Sequence, residues 1–265
     1  MLKKEKLNIT FVTATRAEFG LLRNLISRCY DEKFFNVSLI VSGTHLSEKH
    51  GLTINEIKNS GFRIDKEIDI KISTDNSFDI ANSSAIGLKG FTKAFDKLSS
   101  DLIVVLGDRY EILSAVIAAC FSRIPIAHIH GGELTEGLID DSIRHAITKF
   151  SHLHFVANKE YKRRVIQLGE DPKFVFNVGG MGIDSLSNIK KLDQESVENQ
   201  INLKLNKKSF LITYHPLTLN DELSKKEFSQ LLSALENLKD TSLIFTMPNA
   251  DPGNNYIYEK IEEFT

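Results

Sequence analysis

Residues 102–130 read LIVVLGDRYEILSAVIAACFSRIPIAHIH, and the architecture of the chain can be built outward from them. Leu102–Leu106 is an unbroken apolar run, mostly β-branched. Successive strand side chains point to opposite faces, so a run without polar residues marks a strand covered on both sides. Gly107-Asp108 ends the run, and Glu111–Phe121 continues at helical length with few polar residues. Ile124–Ile129 is then a second strand. A strand, a crossover helix and a strand within ~30 residues form a βαβ unit, which implies a parallel sheet.

The same alternation extends in both directions. Strands are expected at Leu7–Thr13, Val37–Val41, His154–Val156 and Phe174–Val178. Helices are expected at Ala17–Tyr30, Thr53–Asn59, within Ser77–Leu98, and at Asp140–Phe150 and Lys159–Leu168. The class is α/β, a doubly wound sheet with helices on both faces. Gly179, Gly180 and Gly182 interrupt the pattern, and a polar stretch, Lys190–Lys208, follows. The βα rhythm restarts with a strand at Ser209–Tyr214, a helix at Glu222–Leu238, a strand at Ser242–Thr246 and a helix from Tyr256. Residues 1–180 therefore read as one domain and 181–265 as the beginning of a second. Two strands bury too little for an independent domain, which runs to ~100 residues or more. The natural chain is expected to continue past Thr265, and residues 1–265 are expected to be inactive alone.

Composition narrows the function classes. The 265 residues are 42% hydrophobic and 26% charged, with a formal net charge of −2. Such a balance provides no global field to attract nucleic acid or an anionic membrane. Cys29 and Cys120 are too few for a disulfide framework. The N-terminus lacks the apolar core and cleavage site of a signal peptide, and no run approaches the ~20 residues of a membrane span. A cytoplasmic protein is expected.

In an open α/β sheet, ligands bind outside the carboxyl ends of the strands. After the first strand comes Thr13-Ala-Thr-Arg-Ala-Glu-Phe-Gly20, which places Arg16 at a helix N-terminus suited to an anion, or simply in solvent. After the second comes Ser42-Gly-Thr-His-Leu46, with His45 either at the crevice or structural. Gly107-Asp-Arg-Tyr-Glu111 places Asp108 either as a helix N-cap or in acid–base work, with Arg109 beside it. Ala127-His-Ile-His-Gly-Gly-Glu133 and Asp140-Asp-Ser-Ile-Arg-His145 form the richest segment. There His128 and His130 alternate on one strand, and Gly131-Gly132 flex a loop that carries Glu133. Asp140 or Asp141 is expected to cap the next helix, sharing a face with Arg144 and His145. A metal could draw on His130, Glu133, Asp140 or His145, but no tight ligand spacing such as H-E-x-x-H is present. In the second unit His215 leaves the strand ahead of Pro216, and Met247–Asn254 contains Asn249 in what could be a plain turn.

Taken together, in order and at consecutive strand ends, these segments resemble one family: the hydrolysing UDP-N-acetylglucosamine 2-epimerases of sialic acid synthesis. The segments are TATRAEFG (13–20), SGTHL (42–46), GDRYE (107–111), HIHGGELTEG (128–137), DDSIRHAITK (140–149), YHPLT (214–218) and PNADPG (248–253). GDRYE, HIHGGE and DDSIRHAITK are specific in combination; PNADPG alone is not. The resemblance implies two Rossmann-like lobes of the B-type glycosyltransferase kind, the second truncated in this chain, with a UDP-sugar in the cleft. It implies anti-elimination of UDP to a glycal, then hydration with inversion at C-2, with no cofactor and no metal. A homo-oligomer, dimer or tetramer, is also implied. By the family pattern, acid–base roles fall on Asp108, Asp140 and a residue of the HIHGGE loop, with His215 opposite. Substrate contacts fall on Arg16, His45, Arg109, Arg144, His145 and Asn249. Some relatives have glutamate at the position of His130, so His130 and Glu133 compete. N-acetylglucosamine ranks first as the sugar, then a 2,4-diacetamido sugar. A B-type glycosyltransferase or a nonenzymatic nucleotide-sugar binder would be a different class.

Overall fold

The computed structural model describes residues 6–72, 77–188, 191–217, 220–248 and 254–265. The chain divides into two compact units, the first reaching Ser187 and the second running from Asn188 to Thr265. In the first unit the order is β1 (Leu7–Thr13), α1 (Arg16–Asp31), β2 (Phe35–Ser42), α2 (Ile54–Asn59), β3 (Lys66–Ile68), α3 (Ser77–Leu98) and β4 (Leu102–Leu106). There follow α4 (Tyr110–Phe121), β5 (Ile126–Ile129), α5 (Ile139–Phe150), β6 (Leu153–Val156), α6 (Lys159–Gln167), β7 (Val175–Asn177) and α7 (Met181–Asn188). The seven strands form one sheet in the order β3-β2-β1-β4-β5-β6-β7, with parallel pairs throughout.

The apolar run of β4 is divided between two cores. Ile103 and Val105 face a cluster with Phe91, Phe95, Ile112 and Ala115 from α3 and α4. Val104 and Leu106 face the other, with Phe19, Leu22 and Ile26 from α1. Those three α1 residues, spaced three and four apart, form the stripe expected of a helix lying on a sheet. Strand order reverses between β1 and β4. This reversal opens a crevice at their carboxyl ends, the usual place for a ligand in such sheets.

Three elements were not anticipated. β3 is a three-residue edge strand, Lys-Glu-Ile, too short and too charged to show a strand pattern. α7 follows Gly179 and Gly180, and the two units divide at its end. α8 (Gln194–Ile201) occupies part of the polar stretch. Only Glu198 is buried in it, so it carries no apolar period, but Asp193 caps it by accepting from Ser196 N at 2.8 Å.

The second unit contains α8, β8 (Lys208–Ile212), α9 (Asp221–Glu236), β9 (Thr241–Phe245) and α10 (Asn254–Phe264). β8 and β9 pair in parallel. Phe228, Leu232, Ile257 and Ile261 make its core. Among the described residues no helix is long and apolar enough to cross a membrane.

Candidate active site

β1 delivers Arg16 to the crevice. Thr15 caps α1, accepting from Glu18 N at 3.3 Å, while Glu18 Oε2 accepts from Ala14 N at 2.7 Å. This reciprocal box fixes the turn and leaves Arg16, the first helical residue, exposed at the positive end of α1. Glu18 itself is buried. Burial, with Glu111 nearby, pushes its carboxyl up to about 8 against the opposing Ala14 N–H and Arg109.

Asp108 follows β4. It does not cap α4: the cap position belongs to Arg109, with no side-chain cap bond. The Asp108 carboxylate instead accepts from Arg144 Nη2 on α5, and Arg144 Nη1 donates to Thr135 Oγ1 at 2.7 Å. Burial raises the Asp108 pKa above the ordinary aspartate value; Arg144 and Arg109 oppose this and Glu133 adds to it. The capping alternative for Asp108 is thereby removed.

β5 delivers His130 and the loop that ends in Glu133. His130 has φ +65°, a left-handed conformation uncommon for a residue with a side chain and often found at functional sites. The loop is braced from three sides. His130 N donates to Phe155 O at 2.9 Å. Arg164 of α6 donates to Gly132 O. Gly132 has φ +80°, and a Cβ there would lie 2.5 Å from Tyr161 O, so only glycine fits. His130 Nδ1 lies 2.7 Å from Glu133 Oε1, and Met181 N lies 3.5 Å from Nε2. A carboxylate accepts and a backbone N–H donates, which assigns the proton to Nδ1 and leaves Nε2 as acceptor. The two competing candidates are therefore one hydrogen-bonded pair, and Glu133 is near enough to Asp108 to raise its pKa.

Other candidates have supporting positions. His45 is fully buried, with Nε2 3.1 Å from Thr13 Oγ1 and Nδ1 2.8 Å from Thr53 Oγ1. Burial lowers its pKa to about 4, so it is a neutral tie between β1 and the segment after β2. Arg109 is buried, pairs with Glu111 at 3.2 Å and lies over the Tyr110 ring. The expected cap of α5 is also displaced: its N-cap is Leu138, and Asp140 and Asp141 fall in its first turn, where negative charge suits the helix dipole. Asp141 accepts from Thr135 N at 2.9 Å and lies 3.6 Å from His145 Nε2. Asp140 is half-buried. His215 is exposed just past β8, in the second unit. Asn249 lies outside the described residues.

Sequence reasoning left Glu18, Thr135 and Arg164 unassigned. The T-x-x-E spacing of Thr15 and Glu18 was a usable signal for the first. Thr135 and Arg164 meet their partners only through the fold. Among the described residues no three His, Cys, Asp or Glu side chains converge as a metal site would require.

The Asp108–Arg144 and His130–Glu133 pairs thus meet at the carboxyl ends of β4 and β5, beside the switch point. Comparison with known proteins gives this arrangement a family. The family model for UDP-N-acetylglucosamine 2-epimerase matches residues 27–265. The GDP/UDP-N,N'-diacetylbacillosamine 2-epimerase (hydrolyzing) of Campylobacter jejuni is 44% identical over 98% of this chain and 67% of its own length. The polysialic acid biosynthesis protein P7 of Escherichia coli is 39% identical over 97% of this chain and 66% of its own. This chain thus spans about two thirds of the length of those relatives. Among solved structures, the Neisseria meningitidis UDP-GlcNAc 2-epimerase bound to UDP-GlcNAc superposes with TM-score 0.80 at 17% identity, over 98% of this chain and 71% of that one. The Methanocaldococcus jannaschii enzyme, solved with UDP-GlcNAc and UDP, gives 0.77 at 20% identity, over 97% and 69%. Both likenesses establish the fold as that of these epimerases, two Rossmann-like lobes. The chain belongs to the UDP-N-acetylglucosamine 2-epimerase family.

Proposed function

We propose that the complete protein is a hydrolysing UDP-sugar 2-epimerase, and that its sugar is a 2,4-diacetamido sugar of the N,N'-diacetylbacillosamine type. The observation that carries the reaction is the juxtaposition of the His130–Glu133 pair with Asp108, a carboxyl whose burial favours the protonated form. An elimination and re-addition at C-2 needs a base and an acid, each with a pKa suited to its task. His130 Nε2, released from its long 3.5 Å contact with Met181 N–H, takes the C-2 proton, and Glu133 stabilises the imidazolium through Nδ1. The C-1–O bond breaks, UDP leaves, and a C-1=C-2 glycal remains. Water then adds at C-1, losing a proton to Asp140, while Asp108 delivers a proton to C-2 from the other face. Arg16, at the N-terminal end of α1, attracts the diphosphate. No cofactor takes part.

The choice of sugar rests on the relatives. Besides the Campylobacter protein, a Legionella pneumophila UDP-N,N'-diacetylbacillosamine 2-epimerase (hydrolyzing) is 36% identical. A Neisseria meningitidis UDP-N-acetylglucosamine 2-epimerase is 28% identical. That order favours the diacetamido sugar over N-acetylglucosamine, reversing the ranking drawn from motifs alone. The test is a coupled UDP-release assay on the full-length protein with each UDP-sugar and no acceptor. A kcat/KM at least ~10-fold higher for the diacetamido sugar is expected, the scale of one well-placed group in a pocket. The reverse preference would assign N-acetylglucosamine, and release that requires an acceptor would indicate a transferase.

A further inference from the structure

α5 reaches the carboxyl end of β4 by two routes. The first is the direct one, from Arg144 to the Asp108 carboxylate. The second begins one turn later on the same helix face. Thr148 Oγ1 lies 3.2 Å from His128 Nδ1, and His128 Nε2 lies 2.8 Å from the carbonyl oxygen of Gly107. His128 and Thr148 are both fully buried. A carbonyl only accepts, so Nε2 carries the proton and Nδ1 is left to accept from the threonine hydroxyl. Thr148 has one proton, which it shares with Arg144 O at 3.0 Å. Burial keeps the ring neutral, its pKa lowered to about 3 despite the Gly107 bond, with His154, Arg144 and His130 adding to the lowering.

The carbonyl that His128 holds belongs to the residue that sets the direction of Asp108. Gly107 has φ +84°, and a Cβ there would meet nothing within 4 Å, so the glycine serves the left-handed turn and not the space. Rotation of that peptide would swing the Asp108 carboxyl away from Arg144. The same imidazole also backs the base: a Cβ on Gly131, the residue after His130, would lie 3.1 Å from both His128 Nδ1 and Thr148 Oγ1.

We propose that His128 is a positioning residue for the reaction, a neutral relay from Thr148 to the Gly107 carbonyl that fixes the turn presenting Asp108 and seats the loop carrying His130. This rests on the epimerase reading for its effect on turnover, though not for the relay itself.

The test uses the full-length enzyme and three variants. His128→Leu removes the donor, His128→Gln restores an N–H at the reach of Nε2, and Thr148→Val leaves the imidazole but removes its orienting hydroxyl. His128→Leu should lower kcat by about 10²-fold, the scale of a misplaced reacting group, with KM and UDP affinity within ~3-fold. His128→Gln should recover kcat to within ~5-fold of wild type, and Thr148→Val should lose ~3–10-fold. Equal loss in the Leu and Gln variants, or wild-type kcat in a folded Leu or Val variant, would overturn the proposal. Independently of turnover, 15N NMR of labelled histidines should show His128 as the neutral Nε2–H tautomer from pH 5 to 8 and a disturbed tautomer in Thr148→Val. A protonated ring or an Nδ1–H tautomer would overturn the relay. A wild-type protein that turns over no UDP-sugar would instead remove the epimerase reading and leave the tautomer result standing.

Discussion

Glu18→Gln isolates what a buried carboxyl does to this fold. Glu18 is 4% exposed, and its side-chain Oε1 is buried without a hydrogen-bond partner among the described residues. Its pKa rises from an ordinary 4.5 to about 8, chiefly through burial. Between those values the folded protein holds a proton that the unfolded chain has released, so stability falls as pH rises through the window, by about 1.4 kcal/mol per pH unit. Glutamine matches the protonated carboxyl in shape and can still accept from Ala14 N, but it does not titrate. The variant should therefore gain on wild type by about 1 kcal/mol at pH 5, rising to about 4 kcal/mol at pH 8. The chain has no tryptophan, so urea unfolding is best followed by far-UV circular dichroism, at pH 5, 6, 7 and 8. Parallel stability–pH curves for the two proteins would show that Glu18 does not carry a proton into the fold, as would a glutamine variant weaker than wild type at pH 8.

Three further outcomes follow from the site. Asp108→Asn should keep UDP affinity while turnover drops ~10²-fold or more, read by steady-state kinetics beside isothermal titration. Because His130 and Glu133 are one hydrogen-bonded pair, His130→Gln and Glu133→Gln should each lower turnover ~10²-fold by steady-state kinetics; a Glu133→Gln variant with wild-type turnover would separate them. Gly132→Ala places a Cβ 2.5 Å from Tyr161 O at φ +80°, and should cost about 2 kcal/mol or more by urea unfolding, whereas Gly20→Ala within α1, where nothing lies within 4 Å, should gain about 0.5–1 kcal/mol.

The parts of this molecule that were readable in its sequence are those fixed locally. The run from Leu102 to Ile129 shows its strands and helix through unbroken apolarity, and β1 and β4 fall at their expected bounds. Asp108, His130 and Glu133 were readable as candidates because they lie within four residues of the carboxyl end of a strand. Their partners were not: Arg144 meets Asp108 across 36 positions of sequence, a contact made by α5 packing against α4 and β5. His45 could be read from the sequence either as a crevice histidine or as a structural one, and only the fold shows the turn carrying it inward between Thr13 and Thr53. The pairing of His130 with Glu133 was hidden for a similar reason: three positions apart in a Gly-Gly loop says little until the left-handed His130 brings the two together. α8 escaped because a helix with one buried residue has no period to read.

Incubation of the full-length protein with the UDP-diacetamido sugar in deuterated water, with the product followed by NMR, separates an epimerase from every other reading of the site. An eliminating and rehydrating 2-epimerase must exchange the C-2 proton. UDP should therefore be released without an acceptor, leaving a free sugar with inverted C-2 that carries deuterium there. Release of a sugar that keeps its original C-2 configuration and its protium would mean simple hydrolysis, and the proposed elimination would be wrong.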